Sequence, residues 1–335
     1  MSYHDALNYL NRKTSVIELY DQLGGRVAVC PEWNGRVQTS TNGGLDGDSF
    51  GSINVRAIDT ERYENFGGED QWMLSPLIYS FAVESIKANR AVLQRTLQTA
   101  DANGKSGEFH LTRSISLLNR YQAGEMFGDA VTEALKRGDV SVVGFGTENI
   151  VRTQEPACVA SRLRGMFNAS PYTAVIVPAP PVSFAPEPFT VDVDYLGGSP
   201  HGRIRYLSKT LLIRADGQRR CQVTMPYSTS PPIFGAIERR LGTLTLWTFD
   251  LPNDYPEEND LVRVYNPARL QTDELNWATY YEINCFSAAR ELLPEDSLTY
   301  WQCTLHLNAD NAVLGDLIWE IFGVSLEGIS RKMHW

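Results

Sequence analysis

The 335-residue sequence contains neither a long hydrophobic run nor a dense cluster of Lys and Arg. No apolar stretch approaches the roughly 18 residues that a membrane-spanning helix needs, so a membrane protein is not expected. The 30 basic residues are outnumbered by 40 acidic ones, which gives a net charge of −10. Since no basic stripe could follow a phosphate backbone, nucleic acid is not an expected partner.

Cysteine is scarce, and its five positions are scattered: Cys30, Cys158, Cys221, Cys285 and Cys303. An odd, widely spaced set in strand-like surroundings predicts free thiols and no disulfide framework. The first twenty residues also lack the basic start, apolar middle and small-residue cleavage site of a secretory signal. We therefore expect a cytoplasmic protein.

Common cofactor and metal motifs are missing as well. Gly144 and Gly146 follow a strand, but the third glycine and the helix of a dinucleotide-binding loop do not come after them. Cys303 and His306 are three positions apart, which on a strand puts them on opposite faces. We expect neither a cofactor nor a bound metal.

Strand-like segments dominate what the sequence does contain. About fifteen runs rich in β-branched and aromatic residues are separated by Gly, Pro, Asn and Asp. Clear examples are AVLQRTLQTA (91–100), LGTLTLWTFD (241–250) and LTYWQCTLHLN (298–308), and SFGSINVRAI (49–58) has a similar pattern. Because helices do not alternate with these runs, the pattern predicts an all-β chain folded as a large antiparallel sandwich.

Helices are predicted in three places. Tyr3–Asn11 has Ser2 as a candidate N-cap, and a helix within 310–323 has Asp310 as its cap and Gly323 as its stop. Within 124–140, Phe127, Val131 and Leu135 at helical spacing predict a helix of two or three turns that ends at Gly138. The proline-rich segment 177–189 is interpreted as a long loop within a single domain. That domain spans 1–335, with a helical extension at 1–14 and a helix and tail at 308–335.

Several blocks together resemble a known superfamily. They include WNGRVQTST (33–41), NFGGEDQWMLSP (65–76), LRGMFNASPYTAVIVP (163–178) and YYEINCFSAARELLPEDSLTYWQCTLHL (280–307). Across nearly the whole chain the sequence is similar to uncharacterised bacterial proteins that look like a branch of the galactose-mutarotase-like, or aldose 1-epimerase, superfamily. The resemblance implies a β-supersandwich of two large antiparallel sheets with a few short helices, one sheet being concave and lining a sugar-sized groove.

Glu282 is the candidate catalytic residue. In aldose 1-epimerases a glutamate near the C-terminus is the general base on the anomeric hydroxyl, and Glu282 stands where the resemblance puts that residue. Alternation along its strand would turn Tyr280, Glu282 and Asn284 to the groove, while Tyr281 and its alternate neighbours fill the core. The competing interpretation is that Glu282 is an ordinary exposed charge.

The family's general acid has no clear counterpart. Where its histidine would lie, this sequence has Arg162 and Arg164, and arginine does not give up a proton at neutral pH. His110, His201 and His306 are candidate substitutes, although each also suits a surface or structural histidine.

Arginine suggests a further property of the groove. A guanidinium binds carboxylate or phosphate through two parallel hydrogen bonds, so Arg162 or Arg164 would favour an acidic or phosphorylated sugar. An ion pair with a protein carboxylate is an equally good interpretation. Additional candidates for lining the groove are Arg36, Glu69, Asp70 and Trp72, although the Gly-Gly-Glu-Asp segment can also be read as a turn.

Three functions remain open from the sequence. The first is an isomerase of the epimerase or mutarotase type that uses Glu282 as base. The second is a non-catalytic carbohydrate-binding protein without the acid, and the third is glycoside cleavage by Glu282 together with Asp70 or Glu69. In each case the partner is a carbohydrate, and the protein is expected to be a monomer or a homodimer.

Overall fold

The computed structural model describes residues 1–61, 65–73, 79–178, 190–191, 202–207, 209–218, 221–226, 233–250, 260–266, 280–287 and 289–335. Two large sheets account for about half of these residues, and every strand pair in them is antiparallel. The prediction of two large antiparallel sheets with a few short helices is confirmed. Among the described residues, no helix is long and apolar enough to cross a membrane.

The first sheet has nine strands. Their order across the sheet is β1 (Ile17–Tyr20), β2 (Arg26–Cys30), β3 (Arg36–Thr41), β4 (Gly68–Met73), β10 (Arg162–Asn168), β19 (Tyr280–Phe286), β18 (Asp260–Asn266), β15 (Cys221–Pro226) and β12 (Thr190–Val191).

The second sheet has ten strands. Their order is β13 (Ile204–Leu207), β14 (Thr210–Arg214), β11 (Thr173–Pro178), β16 (Ile233–Glu238), β17 (Thr243–Phe249), β21 (Ser297–Asn308), β8 (Ser141–Thr153), β7 (Ser106–Leu118), β6 (Arg90–Ala100) and β5 (Ala82–Lys87). A separate two-stranded sheet pairs β9 (Ala157–Val159) with β20 (Arg290–Leu292).

Within the described residues, six α-helices lie outside the sheets: α1 (Tyr3–Asn11), α2 (Val55–Asp59), α3 (Arg120–Phe127), α4 (Asp129–Leu135), α5 (Asn311–Phe322) and α6 (Leu326–Met333). Two of the three predicted helices are confirmed together with their caps. The Ser2 hydroxyl accepts from the Asp5 N–H at the start of α1, and Asp310 does the same for Val313 at the start of α5.

The main core lies between the two sheets, and a second core lies between the ten-stranded sheet and α3–α6. Strand β21 contributes to both. Tyr300 packs in the main core, whereas Leu305 and Leu307 pack beneath the helices. Because successive side chains point to opposite faces, a strand in the middle layer must be apolar or paired on both sides.

Three local predictions are wrong. Residues 49–58 do not form a strand, because the Asn54 side chain accepts from the Ala57 N–H and starts α2. The segment 124–140 holds parts of two helices, α3 and α4, separated by Gly128 at φ +94°, a conformation that interrupts a helix. The alternative of a turn at 67–70 also fails, because Gly68–Met73 is β4. Most of the predicted loop 177–189 lies outside the described residues.

Candidate functional site

Two adjacent strands of the nine-stranded sheet, β10 and β19, build a polar surface on the side facing away from the other sheet. Their register puts Arg164 opposite Asn284 and Met166 opposite Glu282. Side chains on the other side of β19, such as Tyr281 and Ile283, lie in the main core. We call this surface, with Arg162, Arg164, Glu282, Asn284 and the neighbouring Gln71, the polar face.

Glu282 is buried rather than solvated. It is 5% exposed, and the guanidinium of Arg164, which is 9% exposed, donates to its Oε1. A carboxylate in this position must have a cationic partner, because an unpaired buried charge is costly. The pair keeps Glu282 available as a hydrogen-bond acceptor on the polar face.

Arg162 orients the side-chain amide of Asn284 through two hydrogen bonds. Its Nε and Nη2 donate to Asn284 Oδ1 over 3.0 and 2.5 Å. This fixes the amide so that Nδ2 points away from Arg162, and that buried donor has no partner among the described residues. An amide N–H without an acceptor is costly inside a protein unless a ligand or water satisfies it.

Gln71 of β4 completes a row across three strands. Gln71 lies opposite Arg164, which in turn lies opposite Asn284. The buried Gln71 Oε1 is an acceptor without a partner among the described residues. The Arg164–Glu282 pair is therefore flanked by an acceptor on one side and a donor on the other. Gln71 was not among the site residues predicted from the sequence, although its place two residues from Glu69 in a strand would have indicated it.

Arg36 of β3 lies near Arg164 and is fully buried. Its Nη1 donates to the carbonyl of Gly67 over 2.7 Å, and its guanidinium lies 5.7 Å from the centre of the Phe66 ring. Burial first, and then the positive charge of Arg164, lower the pKa of Arg36 to about 9.

Three sequence candidates lie on the opposite side of the sheet. Asp70 and Trp72 point into the space between the sheets, where Asp70 pairs with Arg113 of β7 over 2.6 Å and Trp72 donates to Ser161. Glu69 also points there and meets His306. The structure thus does not bring Glu69, Asp70 or Trp72 to the polar face with Glu282.

A β-bulge explains how two consecutive residues point the same way. The register between β4 and β10 shifts, with Gly68 opposite Met166 but Gln71 opposite Arg164. The bulge adds one residue to β4 and interrupts its alternation. Glu69 and Asp70 consequently share the inner side.

Two of the three candidate histidines, His110 and His306, lie away from the polar face. His306 is buried between the sheets, where Nε2 lies 2.5 Å from Glu69 Oε2 and Nδ1 lies 2.8 Å from Thr245 Oγ1. His110 is on the far sheet, beside Thr96 and Gln154. His201 lies outside the described residues. Tyr280, which was also predicted to face the groove, is buried on β19 two residues before Glu282.

The described side chains suggest hydrogen-bonding chemistry at this face. No group of three or more His, Cys, Asp or Glu within the described ranges is arranged to hold a metal ion. The polar face offers a carboxylate, an amide donor and an amide acceptor within three neighbouring strands. A ligand with several hydroxyl groups could satisfy all three, since a hydroxyl both donates and accepts.

Solved structures with a similar fold are found despite low sequence identity. A GalM/aldose epimerase homologue from C. elegans has 10% identity and a TM-score of 0.54, covering 89% of this chain and 100% of its own. A galactose mutarotase-like protein from Lactobacillus casei ATCC 334 has 8% identity and a TM-score of 0.52, covering 88% and 100%. At these identities the likeness establishes the galactose mutarotase-like fold.

No curated protein matches the sequence. A family model, in contrast, matches residues 1–83 and 77–333, almost the full chain. The protein adopts a galactose mutarotase-like fold and belongs to the family of unknown function DUF6786.

Proposed function

We propose that the protein binds a carbohydrate at the polar face and acts on its anomeric centre, with Glu282 as the general base. The observation that carries this proposal is the pair of unsatisfied buried amide atoms, Gln71 Oε1 and Asn284 Nδ2, on either side of the Arg164–Glu282 pair. Sugar hydroxyls would supply the missing donor and acceptor. The C. elegans epimerase homologue and the mutarotase-like protein share the fold, which supports carbohydrate as the ligand class.

The role of Glu282 follows from its environment. Arg164 donates to Oε1 of the carboxylate, and among the described residues Oε2 has no hydrogen-bond partner. As general base, the carboxylate would accept the proton of an anomeric hydroxyl within hydrogen-bond reach. The bond between the anomeric carbon and the ring oxygen would break at the same time, and the ring oxygen would take a proton from solvent water. Ring closure on the other face of the carbonyl carbon would then invert the anomeric configuration.

Saturation-transfer NMR on a panel of aldoses tests this proposal. The wild-type protein should accelerate anomeric exchange, and Glu282→Gln should slow it by at least about 100-fold, the usual range for loss of a general base. Glu320→Gln on α5 is the matched control and should exchange at the wild-type rate. Equal exchange rates with and without wild-type protein would overturn the catalytic proposal.

A non-catalytic carbohydrate-binding protein is the second candidate. Its support is that neither His110 nor His306 lies on the polar face to protonate a ring oxygen. Calorimetry separates the two: sugar binding without accelerated exchange favours this candidate, and absence of binding rejects both.

The charge of the sugar is a finer part of the proposal. Arg162 and Arg164 place two guanidinium groups at the polar face, and a guanidinium donates readily to a carboxylate or phosphate on a ligand. Calorimetry with glucose, glucuronate and glucose 6-phosphate should therefore show the tightest binding for an anionic member. Equal affinity for all three would show that the site does not prefer an anionic sugar.

A further inference from the structure

A cavity of about 90 Å³ lies at one end of the sandwich, where strand ends and the segment 48–51 meet. We call it the end cavity. Tyr281 lines it, whereas the adjacent Glu282 belongs to the polar face on the other side of the sheet. The end cavity is therefore separate from the proposed sugar site.

Aromatic rings form much of the wall of the end cavity. Phe50 stacks on His306 with ring centres 4.2 Å apart, and Phe167 stacks on Tyr281 with ring centres 5.6 Å apart. The face of an aromatic ring carries partial negative charge. A positively charged ligand is favoured over such faces.

Carboxylates add full negative charge. Asp48 and Glu238 line the end cavity, and no Lys or Arg is among its described lining residues. Glu69 lies just behind His306 and contacts it through Oε2. The Ser40 hydroxyl also donates to Oε2, whereas the buried Glu69 Oε1 has no partner among the described residues.

Tyr281 gives a second indication that the electrostatic potential in the end cavity is negative, and its hydroxyl oxygen can contact a ligand. Its pKa is raised, first by burial and then by the negative charges of Glu238 and Glu69. Its side chain is 4% exposed, and its hydroxyl forms no hydrogen bond with any described residue. The phenol oxygen can accept a hydrogen bond from a ligand N–H in the cavity.

We propose that the end cavity binds a small organic cation, a primary or methylated ammonium group, between Phe50, Phe167 and Tyr281 with Glu238 and Asp48 as counter-charges. Methylated ammonium groups are weakly hydrated, so aromatic faces can replace their water, whereas a primary ammonium relies more on the carboxylates. Small metal ions need several converging oxygen or nitrogen ligands, and no such group occurs within the described residues.

Calorimetry with choline and with its uncharged carbon analogue, 3,3-dimethylbutan-1-ol, tests the proposal. Choline should bind, and the alcohol should bind at least about tenfold more weakly because it lacks the charge. Phe50→Leu and Glu238→Gln should each weaken choline binding by about tenfold. Asp48 is exposed, so Asp48→Asn removes a second negative charge from the end cavity with little effect on folding.

Two controls keep the end cavity distinct from the polar face. Glu282→Gln and Glu320→Gln should leave choline affinity unchanged, because neither side chain lines the cavity. The proposal is overturned if choline gives no heat of binding up to about 50 mM, a range that would still detect very weak sites. It is also overturned if the alcohol binds as tightly as choline, or if folded Phe50→Leu, Glu238→Gln and Asp48→Asn all retain wild-type affinity.

Discussion

Arg113 of the ten-stranded sheet and Asp70 of the nine-stranded sheet form an ion pair 2.6 Å long, and both side chains are fully buried. Thr147 donates to the other carboxylate oxygen, and Arg113 donates to Asn149 over 2.5 Å and to Gly35 over 2.9 Å. The network links the two sheets through the middle of the core. Both the Asp70 carboxylate and the Arg113 guanidinium have further hydrogen-bond partners, which is the condition for a buried ion pair to be tolerated.

Removing one partner of this pair should be costly. We expect Asp70→Ala to lower the free energy of unfolding by roughly 3–5 kcal/mol, because Arg113 would remain buried with an unpaired charge. Urea denaturation measures the change. In the exposed Lys136–Glu133 pair, Glu133→Gln is the control and should cost less than about 1 kcal/mol. Similar costs for the two variants would contradict the prediction.

Gly67 should be intolerant of any side chain. Its φ is +85°, and a Cβ there would lie 1.8 Å from the Ser52 carbonyl oxygen, so the backbone that contacts Arg36 would have to move. Gly104 has nearly the same φ, +84°, with nothing near its Cβ position. Gly104→Ala should cost only about 1–2 kcal/mol from backbone strain, and Gly67→Ala substantially more. Equal melting temperatures would show that the segment before β4 adapts.

Gln71 should contribute to ligand binding and not to folding. Its buried Oε1 has no partner among the described residues, so Gln71→Met removes an unsatisfied acceptor and should leave stability unchanged or raise it slightly. The same change should weaken sugar binding about tenfold by calorimetry, since one hydrogen bond is lost.

Gln38 provides the matched control for this substitution. It is also buried, and its Oε1 likewise has no partner among the described residues, but its Nε2 donates to the Phe66 carbonyl over 3.1 Å. Gln38→Met should therefore lower the free energy of unfolding by about 1–3 kcal/mol, because that carbonyl loses its donor. A loss of stability in Gln71→Met as large as in Gln38→Met would contradict the assignment of Gln71 to the ligand.

The thiols should differ sharply in reactivity. Burial raises the pKa of Cys30 and of Cys303 to about 12 and that of Cys285 well above its ordinary value, so these thiols stay protonated at pH 8. Only the thiolate is a good nucleophile. Iodoacetamide labelling of the folded protein followed by mass spectrometry should modify Cys158, which is partly exposed, and spare Cys30, Cys285 and Cys303 until urea unfolds the chain. Rapid labelling of Cys285 in the native protein would contradict the prediction.

The strand pattern was predictable because alternation is a local property. The apolar residues of 280–286 recur with a period of two, which correctly separated Tyr281 and Ile283 from Glu282 and Asn284. The caps at Ser2 and Asp310 were predictable for the same reason, since a capping bond spans only three residues. The two-helix break at Gly128 was missed because the apolar spacing continues across it.

The sequence by itself determined the all-β class, the division of β19 into an inner and an outer side, and the choice of Glu282 as the residue to examine. Only the tertiary structure decided which polar residues meet. Pairing between distant strands placed Gln71 and Arg164 beside Glu282, and a one-residue bulge in β4 turned Glu69 and Asp70 inward toward His306 and Arg113. Strand order and bulges depend on contacts between residues far apart in the chain, and local periodicity contains no information about them.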